Sequence, residues 1–153
     1  MKVDTASGFI NPPESEIKAL LARVHTIAVV GLSPKTDRPS HRVAAALQGY
    51  GYRIIPVRPA VGAILGETAY GDLQQVPHKI DMVDVFRAPQ EVEPIVDACI
   101  ALAMPALWLQ DGVVNPAAAL RARAAGIMVV MDRCTYRDYG RFFPHGRPGA
   151  GGS

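Results

Sequence analysis

Thr26-Ile27-Ala28-Val29-Val30-Gly31-Leu32-Ser33-Pro34-Lys35-Thr36-Asp37-Arg38-Pro39-Ser40 is the stretch that decides how the rest of the chain is read. A short, mostly apolar run ends at a glycine, and a polar loop then carries Ser33, Lys35, Arg38 and Ser40 into a helical pattern. A run apolar on both faces suits a strand of a parallel sheet covered by helices on each side. The helix that follows such a strand aims backbone N–H groups, and the positive end of its dipole, at the space beyond the strand. With two cations added, the loop reads as a seat for phosphate. The plainer alternative is a strand–loop–helix with a solvated, charged turn, and this stretch alone leaves both open.

Working outward, Glu14 and Glu16 sit where a helix start favours acids, and Ile17, Leu20, Leu21 and Val24 fall at helical spacing, which predicts a helix over 13–24. Residues 1–12 read as a flexible lead-in. After the loop, Val43, Ala44 and Leu47 trace a helix over 40–48 that Gly49 and Gly51 end. A strand over 52–57 stops before Pro59, and the glycines and prolines of 59–79 predict mostly loop, with one helical turn near Leu73. A strand over 81–86, a helix over 89–102, a strand over 105–109, a helix opened by Asn115-Pro116 and a strand over 127–131 follow. From Gly140 the composition turns to Gly, Pro and Arg, so the ordered domain is set at 13–140 and residues 141–153 are expected to be a disordered tail.

Five strands alternating with helices predict a single-domain α/β fold: a Rossmann-like, doubly wound, mainly parallel five-stranded sheet with helices on both faces. Ligands of such sheets bind beyond the carboxyl ends of the strands, where the strand order reverses. That rule selects residues 31–40, 57–60, 86–89, 110–113 and 132–134.

A net charge of +2 is too small to argue for nucleic acid, which wants clustered Lys and Arg. There is no cationic start followed by an apolar signal region, and no apolar run long enough to span a bilayer, so the expectation is a cytoplasmic protein without a membrane partner. Cys99 and Cys134 are too few for a disulfide scaffold, and no spacing of Cys or His reads as a metal site.

A dinucleotide fingerprint would read G-x-G-x-x-G after the first strand, with an acid ending the second to hold the ribose. Here Ser33 takes the place of the second glycine, and the second strand ends Pro56-Val57-Arg58-Pro59. Ordinary NAD is disfavoured. Arg58 suits a phosphorylated ribose, either that of NADP or the 3′-phosphate of coenzyme A. The G-x-x-x-x-G-K-[ST] loop of ATPases and GTPases is also absent.

Ala28-Val29-Val30-Gly31-Leu32-Ser33, Arg38-Pro39-Ser40, Gly51-Tyr52 with Ile55-Pro56-Val57, Leu65-Gly66-Glu67, Ile80 to Arg87, Trp108-Leu109-Gln110 with Gly112-Val113, and Met131 to Cys134 form an ordered set. In that order they resemble the small bacterial CoA-binding proteins of the YccU type, over about residues 14–140. That family is similar to the CoA-binding N-terminal domain of the succinyl-CoA synthetase α subunit. The resemblance implies coenzyme A or acyl-CoA as the small-molecule ligand, with no established reaction. It implies that Gly31, Ser33, Lys35, Arg38 and Ser40 meet phosphates and that Arg58 and Pro59 lie near the adenosine end. Phe86 and Arg87 would wall the adenine or pantetheine, and Gln110 and Gly112 would form the turn after strand four. Two positions depart from the pattern: Arg58 replaces a common asparagine, and Ala60 stands where relatives often carry a cation.

Several residues carry a plain and a sharp reading. Asp81 and Asp84 read as strand-end or capping carboxylates rather than an acid/base pair. Trp108 and Cys99 read as core. His25, His41, His78 and His145 have no metal or triad spacing, and His41 alone lies beside the loop. Cys134 follows strand five beside Arg133, which makes it the candidate reactive thiol toward CoA; the plain alternative is a half-buried cysteine. The leading functional reading is a CoA-binding module, acting as a sensor or carrier, with no complete catalytic set. An NADP-dependent or other nucleotide-using enzyme is the alternative.

Overall fold

The computed structural model of the protein describes residues 3–4 and 8–149. Its centre is a five-stranded sheet of β1 (Thr26–Val30), β2 (Arg53–Val57), β3 (Met82–Val85), β4 (Ala106–Leu109) and β5 (Met128–Met131). The spatial order is β2-β1-β3-β4-β5, and every pair is parallel. Five helices accompany it: α1 (Glu14–Arg23), α2 (Pro39–Gly49), α3 (Val92–Ala101), α4 (Pro116–Ala124) and α5 (Thr135–Phe142).

Side chains alternate across a strand, and here the alternation divides the core in two. Ile27, Val29, Met82, Trp108 and Val130 pack on one face with Leu20 and Leu21 of α1, Leu47 of α2 and Tyr139 of α5. Ala28, Val83, Val85, Leu107 and Val129 pack on the other with Val96 and Cys99 of α3 and Ala118 and Ala122 of α4. Both faces are covered, so the strands are mostly apolar, with the buried Asp84 of β3 an exception. Burial pushes the Cys99 thiol up to about 12, which leaves it inert.

The sheet edges are occupied. Pro56, which has no N–H to donate, is tolerated because β2 is an edge strand. Outside β2, Tyr70 N–H donates to Pro56 O at 3.0 Å, and Arg58 N–H donates to Tyr70 O at 2.7 Å. At the other edge the Asn11 amide pairs with the end of β5: Nδ2 donates to Met131 O at 2.9 Å, and Oδ1 accepts from Met131 N–H at 2.8 Å.

Four local features differ from the sequence expectations. Within 59–79, Ala63–Ile64 pairs antiparallel with Glu67–Thr68, and Leu73–Gln75 forms the expected turn as a 3-10 helix capped by Asp72. The lead-in is not loose over 8–12: Phe9 is 2 % exposed, and Arg123 stacks over its ring and donates to Ile10 O. A fifth helix, α5, follows β5 where none was read. The expected tail is packed over 141–149. Phe143 is buried, and the Arg147 guanidinium donates to the carbonyls of Leu21, Ala22 and Val24 at the end of α1 while lying 3.8 Å from the Tyr52 ring centroid. Those carbonyls have no partner inside the helix, so an arginine is the natural group to satisfy them. The rest of the lead-in, residues 1–2 and 5–7, and of the tail, residues 150–153, lies outside the described residues.

Candidate functional site

In the order β2-β1-β3-β4-β5, the chain leaves β1 toward one edge and returns past it to β3, so the switch point lies between the carboxyl ends of β1 and β3. Backbone hydrogen bonds carry the sheet slightly past its strands there: Gly31 N–H donates to Val57 O and Phe86 N–H to Val30 O. Gly31 is fixed by two demands. Its φ is +87°, and a Cβ at that position would lie 2.5 Å from Phe86 O and 2.8 Å from Arg87 Cδ. The loop after β1 therefore presses against the end of β3 with no room for a side chain.

The loop is shaped by its own serines. Ser33 N–H donates to Ser40 Oγ at 3.0 Å, and Ser33 Oγ accepts Lys35 N–H at 3.1 Å. The loop ends at α2, where Pro39 stands at the first helical position. The N-cap, Arg38, gives no side-chain hydrogen bond, and the first turn holds no acid. No acid of the first turn offsets the positive end of the α2 dipole. By contrast, α1 carries Glu14 and Glu16 in its first turn.

A cleft of about 480 Å³ opens over this helix end, lined by Gly31, Ser33, Pro34, Lys35, Arg38, Pro39, Ser40, Arg58, Phe86, Arg87, Gln110, Asp111 and Val113. It brings nine of the sequence-selected residues together: Gly31, Ser33, Lys35, Arg38, Ser40, Arg58, Phe86, Arg87 and Gln110. Pro59 lies elsewhere, in a second cavity of about 560 Å³ on the α3 side that also holds Leu73, Glu91 and Ile95. Gly31 and Arg87 border both cavities. Gly112 lines neither; its N–H donates to Asp132 Oδ1 at 2.8 Å and shapes the turn after β4.

Four cationic side chains face the first cleft, against one acid. Asp111 is turned to Arg137, with two hydrogen bonds of 2.9 Å, and that guanidinium holds its carboxyl below the usual range. Arg87 is paired with Glu91. Arg58 reaches Leu32 O at 3.5 Å, which ties the end of β2 to the loop. The net field of the cleft is positive and suits an anion.

The remaining sequence readings separate cleanly. Asp81 caps backbone, accepting His25 N–H and Thr26 N–H at 2.9 Å each. Asp84 does not flank its strand: it lies within β3, fully buried, and caps no backbone group. Trp108 is core, and its indole N–H donates to Arg133 O at 2.7 Å. His41 is half-buried and outside both cavities. Cys134 is 8 % exposed and lines neither cavity, and Arg133 turns to Asp138 and Glu14. Among the described residues no group of three His, Cys, Asp or Glu could hold a metal ion, and no helix is long and apolar enough to cross a membrane. Sequence reasoning missed Thr135 as the partner of Gln110, because α5 itself was unread; Asp111 lies in the selected segment 110–113 but was not singled out within it.

The comparisons with known proteins bear on the fold and the family. The uncharacterized protein YneT of Bacillus subtilis (strain 168) is 40% identical over 124 residues, covering 81% of this chain and 92% of YneT. A hypothetical protein from Pyrococcus horikoshii OT3 superposes with a TM-score of 0.83 at 30% identity, over 94% of this chain and 99% of that one. The dinucleotide-forming acetyl-coenzyme A synthetase 1 of Ca. Korarchaeum cryptofilum shares the fold alone, with a TM-score of 0.64 at 20% identity, over 74% of this chain and 27% of that one. The family model described as the CoA binding domain matches residues 25–139, from the start of β1 into α5, and the chain belongs to that family.

Proposed function

We propose that this protein binds coenzyme A or an acyl-CoA across the carboxyl edge of the sheet, as a sensor or carrier. The observation that carries the reading is the uncapped N-terminus of α2 facing a cleft with Lys35, Arg38, Arg58 and Arg87, in a chain of the CoA binding domain family. Coenzyme A carries a pyrophosphate and a 3′-phosphate, so it needs several donors and cations within one cleft. The pyrophosphate is assigned to the loop of Gly31, Ser33, Lys35 and Ser40 together with Arg38, where the helix end adds its dipole. Arg58, at the end of β2, takes the 3′-phosphate. Pro59 opens the cavity that takes the adenine among apolar side chains, and the pantetheine arm runs past Phe86 and Arg87 toward Gln110. Gly31 suits this path because a ligand spanning both cavities crosses directly above it.

Calorimetric titration with CoA, acetyl-CoA, NADP and ATP at fixed salt tests the reading. Saturable heat with CoA or acetyl-CoA, well above that with NADP and ATP, is expected. Tight NADP binding without CoA heat would overturn it and favour a nucleotide-dependent enzyme.

A further inference from the structure

Gln110 is 4 % exposed, and it reaches the cleft from the end of β4. Thr135, at the first position of α5, touches it twice: backbone N–H to Gln110 Oε1 at 3.0 Å, and Oγ1 to the same oxygen at 2.9 Å. A backbone N–H can only donate, so the amide atom facing it must be the oxygen. That oxygen can only accept, so the single Thr135 hydroxyl hydrogen is also committed to it. The Gln110 amide nitrogen is then left with both hydrogens. No described residue accepts them, and the nitrogen is not sealed from solvent, so they open into the cleft.

The constraint extends one residue further. Asp84 Oδ2 lies 3.4 Å from Thr135 Oγ1, and Asp84 Oδ1 has no hydrogen-bond partner. With its hydrogen given to Gln110, the Thr135 hydroxyl offers Asp84 lone pairs only. A carboxylate there would face another acceptor in a dry interior, whereas a carboxylic acid can donate. Complete burial pushes the Asp84 carboxyl well above the usual carboxylate range, and the Thr135 contact does not offset it. No charged side chain among the described residues acts on it.

We propose that Gln110 is a donor-only reader of an uncharged carbonyl oxygen on the acyl-pantetheine arm of the ligand, held in that polarity by Thr135 and by a protonated Asp84. The inference rests on the CoA reading above and names the ligand group met after the phosphates. Cations and the helix end serve the phosphates, while a neutral amide donor suits a neutral acceptor. The pantetheine amides and the acyl thioester share that chemistry. Gln110 is the contacting residue; Thr135 and Asp84 are positioning residues.

The test titrates wild type, Gln110→Met, Thr135→Val, Thr135→Ser and Asp84→Asn with CoA, with acetyl-CoA and with 3′-phosphoadenosine 5′-diphosphate, which keeps every phosphate and lacks the arm. Gln110→Met should weaken CoA or acetyl-CoA by about tenfold, the loss of one good hydrogen bond, and leave the nucleotide fragment within about twofold. A loss confined to acetyl-CoA assigns the thioester carbonyl; an equal loss with CoA assigns an amide. Thr135→Val removes the hydroxyl and keeps the backbone N–H to Gln110, so it should show the same selectivity with a smaller loss than Gln110→Met, and Thr135→Ser and Asp84→Asn, which keep the donors, should retain affinity. The infrared difference between wild type and Asp84→Asn at neutral pH should show a carboxylic-acid carbonyl band. Equal losses for CoA and fragment, no loss for either, or a carboxylate band overturns the inference. A wild type that binds neither CoA nor fragment overturns the CoA reading itself.

Discussion

Ser40 Oγ accepts the backbone N–H of Ser33 at 3.0 Å, so the first turn of α2 holds in place the start of the loop that leads into it. Both residues are buried, and Ser40→Ala leaves the Ser33 N–H without that partner. A cost of about 1–3 kcal/mol is expected, read as a lower denaturant midpoint with an unchanged slope. The same variant should weaken CoA binding, because the loop loses its shape along with its hydroxyl.

Gly31→Ala meets two obstacles at once, the positive φ and the Phe86 carbonyl at 2.5 Å from the new Cβ. Left-handed strain and overpacking together should cost about 2–4 kcal/mol. Chemical denaturation measures it. A variant as stable as the wild type would mean that the loop and the end of β3 are not in contact.

Lys35 and Arg38 are exposed and make no ion pair among the described residues. Lys35→Ala and Arg38→Ala should therefore leave the Tm of the ligand-free protein nearly unchanged. Each should weaken CoA binding by about three- to tenfold at low salt, with a smaller difference at high salt. Equal affinity in both variants removes the phosphate role assigned to the loop.

Asp84 gives stability a direction with pH. A carboxyl whose folded pKa is raised holds its proton in the native state after the unfolded chain has released it. Its contribution is present at low pH and is lost as pH rises from the unfolded value, about 4, toward the folded one. Asp84→Asn is neutral throughout. Its stability relative to wild type should therefore increase between pH 4.5 and pH 8, as urea midpoints at the two pH values would show; a constant difference rejects a raised folded pKa.

Arg147 is the partner of three carbonyls at the end of α1 and stacks on Tyr52, whose own hydroxyl donates to Leu21 O. Arg147→Ala should cost about 1–3 kcal/mol through unsatisfied buried carbonyls. Loss of amide-exchange protection concentrated at the last turn of α1 would separate this from a general loosening.

The strands were legible because each is a short, mostly apolar run, four of them with Gly31, Pro59, Pro105 or Gly126 at or near one end, and covering helices leave no polar face to confuse the reading. The loop from Gly31 to Ser40 was legible because glycine, serines and cations follow such a run directly. Helix α5 was not: it has eight residues, its buried face is Thr135, Asp138 and Tyr139 rather than aliphatic, and it contains Gly140, a poor helix former. With α5 unread, the order of 141–149 and the role of Thr135 could not be reached, since both depend on where that helix packs. Gly112 shows the limit of position alone, because it lies in the selected turn yet spends its N–H on Asp132. The burial of Asp84 raises its carboxyl, but the hydroxyl that it meets there belongs to a threonine fifty-one residues away, on the unread helix.

The two hydrogen bonds between Asn11 and Met131 give a side-chain amide the donor and acceptor that a neighbouring strand would otherwise supply. A sheet of parallel strands invites continuation by any extended chain at its border, and that invitation leads to edge-to-edge aggregation. At one border the amide of Asn11 imitates a further residue of strand and then goes no further; at the other, Tyr70 does the same with its backbone. At those points, Met131 on one border and Pro56 and Arg58 on the other, the groups that an added strand would need are already taken.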